Sequence, residues 1–132
     1  MKEQLMAEAR QARLASYSPY SHFAVGAALL CDDGSIIRGC NVENASYGLT
    51  LCAERNAIFQ AVAQGKRAFK ALAIAGNGTN PVFPCGACLQ VMAEFAPEMT
   101  LFLGSADGKD IITTSVQALL PAQFALAKED AP

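Results

Sequence analysis

The chain has 132 residues, enough for one domain with a buried core, and 52% of them are apolar, which excludes an intrinsically disordered protein. Ten Lys and Arg against twelve Asp and Glu give a net charge of −2 with no basic cluster, which argues against DNA or another long polyanion as partner. The charged N-terminus lacks the apolar core of a signal peptide, and no apolar run approaches the ~20 residues of a membrane span, so the expected location is the cytoplasm.

Residues 2–15 carry Leu5, Met6, Ala9, Ala12 and Leu14 among charges, the pattern of an amphipathic helix. Ser16–His22 is polar, broken by Pro19, and reads as a loop. Phe23–Leu30 reads as a buried strand. Asp32-Asp33-Gly34-Ser35 predicts a hairpin turn, because Gly after Asp readily takes positive φ, and Ser35–Val42 returns as a second strand. The loop Asn44–Thr50 leads into a helix over Leu51–Gln64, stopped by Gly65. Ala71–Ala75 is a short strand, Gly76–Phe83 a loop, and Gly86–Phe95 a helix ended by Pro97. Strands over Met99–Leu103 and Asp110–Thr113 and a short helix at Val116–Leu119 complete the order. A hairpin followed by helix–strand–helix–strand is an α/β pattern with helices covering a central sheet. No repeat, low-complexity tract or linker divides the chain, so residues 1–132 are expected to form a single domain.

Five cysteines are an odd number, and a cytoplasmic chain rarely keeps disulfides. Cys31 and Cys40 lie in strand-like stretches and are expected to pack as small hydrophobes. Cys52, Cys85 and Cys88 need another explanation. Cys85 and Cys88 have the two-residue gap that lets two sulfurs converge on one zinc ion, a spacing that also marks redox dithiols. Cys52, at another helix start and two residues before Glu54, shifts the weight to a metal. Helix N-termini favour the thiolates that bind zinc. Three protein ligands leave a fourth tetrahedral position open, as in catalytic zinc sites. His22 is a conceivable fourth ligand, but a solvated loop histidine is the simpler reading. Glu54 read alone is an acid suited to a first helical turn; beside a metal it suits proton transfer from water.

These residues resemble the cytidine deaminase family. Cys52-Ala53-Glu54 with Pro84-Cys85-Gly86-Ala87-Cys88 is similar to the three-cysteine form of the zinc deaminase signature. Tyr17–Ala27, Gly39–Tyr47 and Leu119-Leu120-Pro121 with Phe124 resemble further family segments in the right order, over about residues 14–125. The resemblance implies a three-layer α/β/α fold with a mixed sheet of about five strands. It also implies one Zn²⁺ per subunit on Cys52, Cys85 and Cys88, and Glu54 as the catalytic proton carrier. Asn41 and Glu43 are implied to bind the sugar, Phe23 to pack on the pyrimidine and the Ala53 backbone to meet the base. Phe124 and Ala45–Tyr47 are implied to approach a neighbouring subunit's site in a homotetramer. Read alone, Phe23 would be a core aromatic, and Asn41 and Glu43 ordinary loop polars.

The implied activity is hydrolytic deamination of cytidine and deoxycytidine in pyrimidine salvage, with no membrane or nucleic-acid partner. Three thiolates on Zn²⁺ sum to −1, and Arg55 matches the position whose guanidinium draws charge from a ligand sulfur. Leu89 departs from the family pattern, which often has arginine after the last cysteine. That departure leaves Arg55 as the sole expected compensating cation. Three other readings stay open: an aminohydrolase of blasticidin type, a polynucleotide-editing deaminase, and a non-enzymatic zinc-stapled binding module.

Overall fold

A computed structural model describes residues 1–128; residues 129–132, the end of the expected domain, lie outside the described residues. Helix α1 (Lys2–Arg13) precedes strands β1 (Gly26–Cys31) and β2 (Ile36–Cys40). Helix α2 (Ala53–Ala63), β3 (Phe69–Gly76), α3 (Gly86–Phe95), β4 (Thr100–Ser105), β5 (Ile112–Ser115) and α4 (Val116–Leu119) follow. The five strands form one mixed sheet in the order β2-β1-β3-β4-β5. Only β3 and β4, joined through α3, run parallel; the other neighbours are antiparallel. This is the expected α/β/α arrangement.

Strand alternation divides the core in two. Ala28, Leu30, Ala71, Ala73 and Ala75 face Leu5, Met6 and Ala9 of α1. Ala27, Leu29, Leu72, Ile74, Leu101 and Leu103 face α2, α3 and α4 with Ala57, Ile58 and Met92. Small residues let the helices lie close. A Cβ on Gly26 would sit 2.1 Å from the Ala9 carbonyl oxygen, and one on Gly39 would sit 2.5 Å from that of Ala53. Both distances are far inside van der Waals contact, so α1 rests on β1 and α2 on β2 through glycine. Gly34 makes the hairpin turn at φ 90° and Gly65 ends α2 at φ 87°, as their positions in the sequence predict.

Several boundaries differ from expectation. Helix α1 stops at Arg13, two residues early, because the chain turns to meet Asn41: the Tyr17 N–H donates to the Asn41 carbonyl at 3.1 Å. Phe23, Ala24 and Val25 are not strand, since the Asn41 side chain, and not a neighbouring strand, takes the Phe23 carbonyl and the Val25 N–H. Strand β2 ends at Cys40 and α2 starts at Ala53 because Val42 and Leu51 pair with each other between them. Strand β5 lies two residues later than predicted, paired with β4 from Leu103↔Ile112 to Thr100↔Ser115. The segment read as plain loop contains a 3-10 turn at Tyr47–Leu49. Cys31 packs in the core as expected, whereas Cys40 is only half-buried.

Candidate active site

Cys52 is the N-cap of α2 and Cys85 the N-cap of α3, with Cys88 in the first turn of α3. The contact between these two helix starts assembles the group. Cys52 and Cys85 sulfurs are 3.9 Å apart, Cys85 and Cys88 sulfurs 3.5 Å, and all three lie within 4.8 Å of one another. Tetrahedral zinc with bonds of about 2.3 Å to sulfur needs sulfur–sulfur edges of roughly 3.8 Å. The three side chains therefore fit zinc in spacing and in donor chemistry.

Arg55, one turn into α2, donates from Nη2 to the Cys52 sulfur at 3.3 Å. A hydrogen bond from Cys88, opposed by partial burial and reinforced by Arg55, lowers the Cys52 pKa. The Cys88 thiol is pushed up by its bond to Cys52 and by burial. Leu89 points into the core among Met92 and its neighbours and is 7% exposed. The position after the last cysteine is thus occupied by a buried hydrophobe and supplies no cation.

Glu54 occupies the second position of α2 and is 5% exposed, one of three buried polar residues among those described. Burial raises its carboxyl to about 7, and the neighbouring Cys52 thiolate pushes the same way. A carboxyl poised there can hold or release a proton near neutrality.

The second group of predicted residues is joined to the first by backbone. Val42 and Leu51 exchange both of their N–H···O bonds at 3.0 Å, and Glu43 N–H donates to the Tyr17 carbonyl at 2.8 Å. This short ribbon sets Asn41–Glu43 beside Leu51, the residue before Cys52. The Asn41 amide is buried and largely satisfied: Nδ2 donates to the Phe23 carbonyl at 2.8 Å, and Oδ1 accepts from Val25 N–H at 2.9 Å and from the Ser16 hydroxyl. With Oδ1 taken twice, the one group that Asn41 has left to offer is the second Nδ2–H.

Glu43 accepts from the Tyr20 and Ser21 N–H groups at 3.0 and 3.1 Å and from the Ser21 hydroxyl. The Ser21 hydroxyl leads in holding its carboxyl below the usual range. A hollow of about 390 Å³, lined by Tyr20, Ser21, Glu43, Tyr47 and Thr50, opens beside it. Phe23 is 41% exposed, its ring close to Gly76, so it is a surface aromatic and not a core residue.

Among the described residues Phe124 shares no hydrogen bond and no pocket lining with these groups. It is 68% exposed beside α3, where Gln90 Nε2 donates to its carbonyl at 3.0 Å. His22 is exposed in its loop, and the three-cysteine cluster does not include it. Ser16 and Ser21, which orient Asn41 and Glu43, were not legible as site residues. A lone serine in a polar loop carries no signal until its partner is known.

The family model for the cytidine and deoxycytidylate deaminase zinc-binding region matches residues 1–103. The chain belongs to the cytidine and deoxycytidylate deaminase family. It is 53% identical to a cytidine deaminase of Sporosarcina psychrophila, over 97% of this chain and 93% of that protein. It is 54% identical to one of Halalkalibacterium halodurans, over 93% of each. Among solved structures, a cytidine deaminase from Burkholderia pseudomallei superposes with a TM-score of 0.90 at 47% identity, covering 94% of this chain and 99% of that one. The family is one of zinc-dependent hydrolases, and the sheet order and helix layers described above are its fold. Among the described residues no helix is long and apolar enough to cross a membrane.

Proposed function

We propose that this protein hydrolyses cytidine and deoxycytidine to uridine and deoxyuridine with release of ammonia, in pyrimidine salvage. The observation that carries the reading is the trio of thiols at two helix starts with buried Glu54 two residues beyond Cys52. Cys52, Cys85 and Cys88 are the proposed zinc ligands. When bound, zinc supplies Lewis acidity that makes water a nucleophile near neutral pH.

Glu54 takes a proton from the attacking water and delivers it to the ring nitrogen beside the amine-bearing carbon. The water oxygen bonds to that carbon. Glu54 then carries the second proton to the amine, the C–N bond breaks, ammonia leaves, and the carboxylate is restored. One carboxyl with a pKa near 7 suits both roles, since it accepts and donates with little cost. Arg55 draws charge from the Cys52 sulfur.

For the sugar, Asn41 offers one N–H donor and Glu43 its remaining lone pairs, a matched pair for a hydroxyl that both accepts and donates. Phe23 would pack on the pyrimidine and the Ala53 backbone would meet the base. In this reading the chain acts as a single deaminase unit that assembles as a homotetramer. Tyr17, Tyr20, Val42, Tyr47 and Leu49 support that, being between 41% and 73% exposed around the Val42 ribbon, as does Phe124, free to reach a neighbour's site. Five free cysteines, three of them needed as thiolates, suit a reducing cytoplasm.

The test is ammonia release by metal-quantified protein from cytidine, deoxycytidine, blasticidin S and a cytosine-containing oligonucleotide, with Glu54→Gln as control. Release from the first two alone is expected. Release from blasticidin S alone, or from the oligonucleotide, would replace the substrate class. No release from any would leave a zinc-stapled binding module.

A further inference from the structure

Phe23 lies outside every strand, so something else must hold it in place. The residue before it has an uncommon backbone: His22 has φ 59°, the only positive value at a non-glycine among the described residues. Its N–H donates to the Ser18 carbonyl at 3.0 Å. Its carbonyl accepts from Asn77 Nδ2 at 2.8 Å. The Asn77 amide is itself oriented, because Oδ1 accepts from Arg13 Nη1 at 2.7 Å. A guanidinium on the oxygen forbids the flipped amide, so the NH₂ end is presented to His22.

Both anchors sit on rigid ground. Arg13 is in the last turn of α1, which is seated on β1 through Gly26. Asn77 follows Gly76, the last residue of β3, and the Phe23 ring lies 3.1 Å from where a Gly76 Cβ would be. On its other side the same loop is held by Asn41 on the Phe23 carbonyl and by Glu43 on Tyr20 and Ser21.

We propose that Arg13 and Asn77 are positioning residues for the nucleoside pocket: Arg13 fixes the Asn77 amide, which holds the His22 carbonyl and so keeps the Phe23 ring over Gly76. The inference rests on the reading of Phe23 as a wall of that pocket. Neither residue belongs to the Cys52–Glu54 group, so their loss acts on binding and not on bond making.

Asn77→Ala is expected to raise KM for cytidine about tenfold and to leave kcat within about twofold. Arg13→Met is expected to move KM in the same direction, and Arg13→Lys, which still donates to Oδ1, to restore part of the loss. The deciding measurement is a double-mutant cycle with Phe23→Ala, with zinc content and melting temperature recorded for every variant. If Asn77 acts through Phe23, Asn77→Ala adds less than about twofold to KM in the Phe23→Ala background. Fully additive effects, an unchanged KM for Asn77→Ala, or a fall in kcat matching lost zinc would each overturn the proposal. If Phe23→Ala itself leaves KM unchanged, the pocket reading fails and takes the inference with it. If Phe23→Ala raises KM and Asn77→Ala does not, the inference alone fails.

Discussion

Replacing Arg55 by glutamine tests the charge problem of a three-thiolate metal. Arg55 Nη2 lies 3.3 Å from the Cys52 sulfur, and Leu89 supplies no second cation. Hydrogen bonds to charged groups contribute about 1.5–3 kcal/mol, and lost outer-shell partners typically cost about 10–100-fold in metal affinity. The side chain is only partly buried, and solvent screening discounts the contact, so the lower part of that range applies, about 10–30-fold. Competition against a chromophoric chelator measures zinc affinity directly, without reference to turnover. Glutamine removes the charge but ends two bonds short of Nη2, so Arg55→Lys, which retains a cation, is the companion variant that separates charge from reach. A zinc dissociation constant unchanged within about twofold would refute the view that Arg55 compensates the cluster.

Glu54→Gln should lower kcat by at least about 10³-fold while zinc content stays that of the parent, checked by metal analysis and ammonia release. Gly26→Ala should destabilise the protein by more than about 3 kcal/mol in urea unfolding, because its Cβ would sit 2.1 Å from the Ala9 carbonyl oxygen and push α1 off the sheet; a smaller cost would mean that α1 is free to shift. The Asp33 carboxyl is held well below its usual range by Lys66 at 2.8 Å and by Ser35. A folded-state pKa below the unfolded value gives stability that is present above about pH 4 and lost as pH falls through the folded pKa. The stability difference between wild type and Asp33→Asn should therefore shrink on acidification; a pH-independent difference would assign it to packing.

What the amino-acid sequence determines by itself is what depends on short spacing. The Asp33-Gly34 turn, the Gly65 stop and the Gly86–Phe95 helix follow from local backbone preference and hydrophobic period, and each is found where it is expected. Cys85 and Cys88 share a helical turn, so their convergence is local too. The family segments extend that legibility to Cys52 and Glu54. Tertiary structure alone decided the rest.

Cys52 is 33 positions from Cys85, and only the packing of α2 beside α3 closes their sulfurs to 3.9 Å. Phe23–Val25 is apolar and reads as strand, yet the Asn41 side chain, 16 and 18 positions away, takes its backbone groups and keeps it a loop. Arg13 and Asn77 carry no motif, and they are joined across 64 positions by a hydrogen bond that no periodicity encodes. The reason is common to all three cases. Local preference is written in neighbours a few residues apart, whereas contacts between side chains far apart in sequence exist only after the packing of helices on the sheet has brought them together.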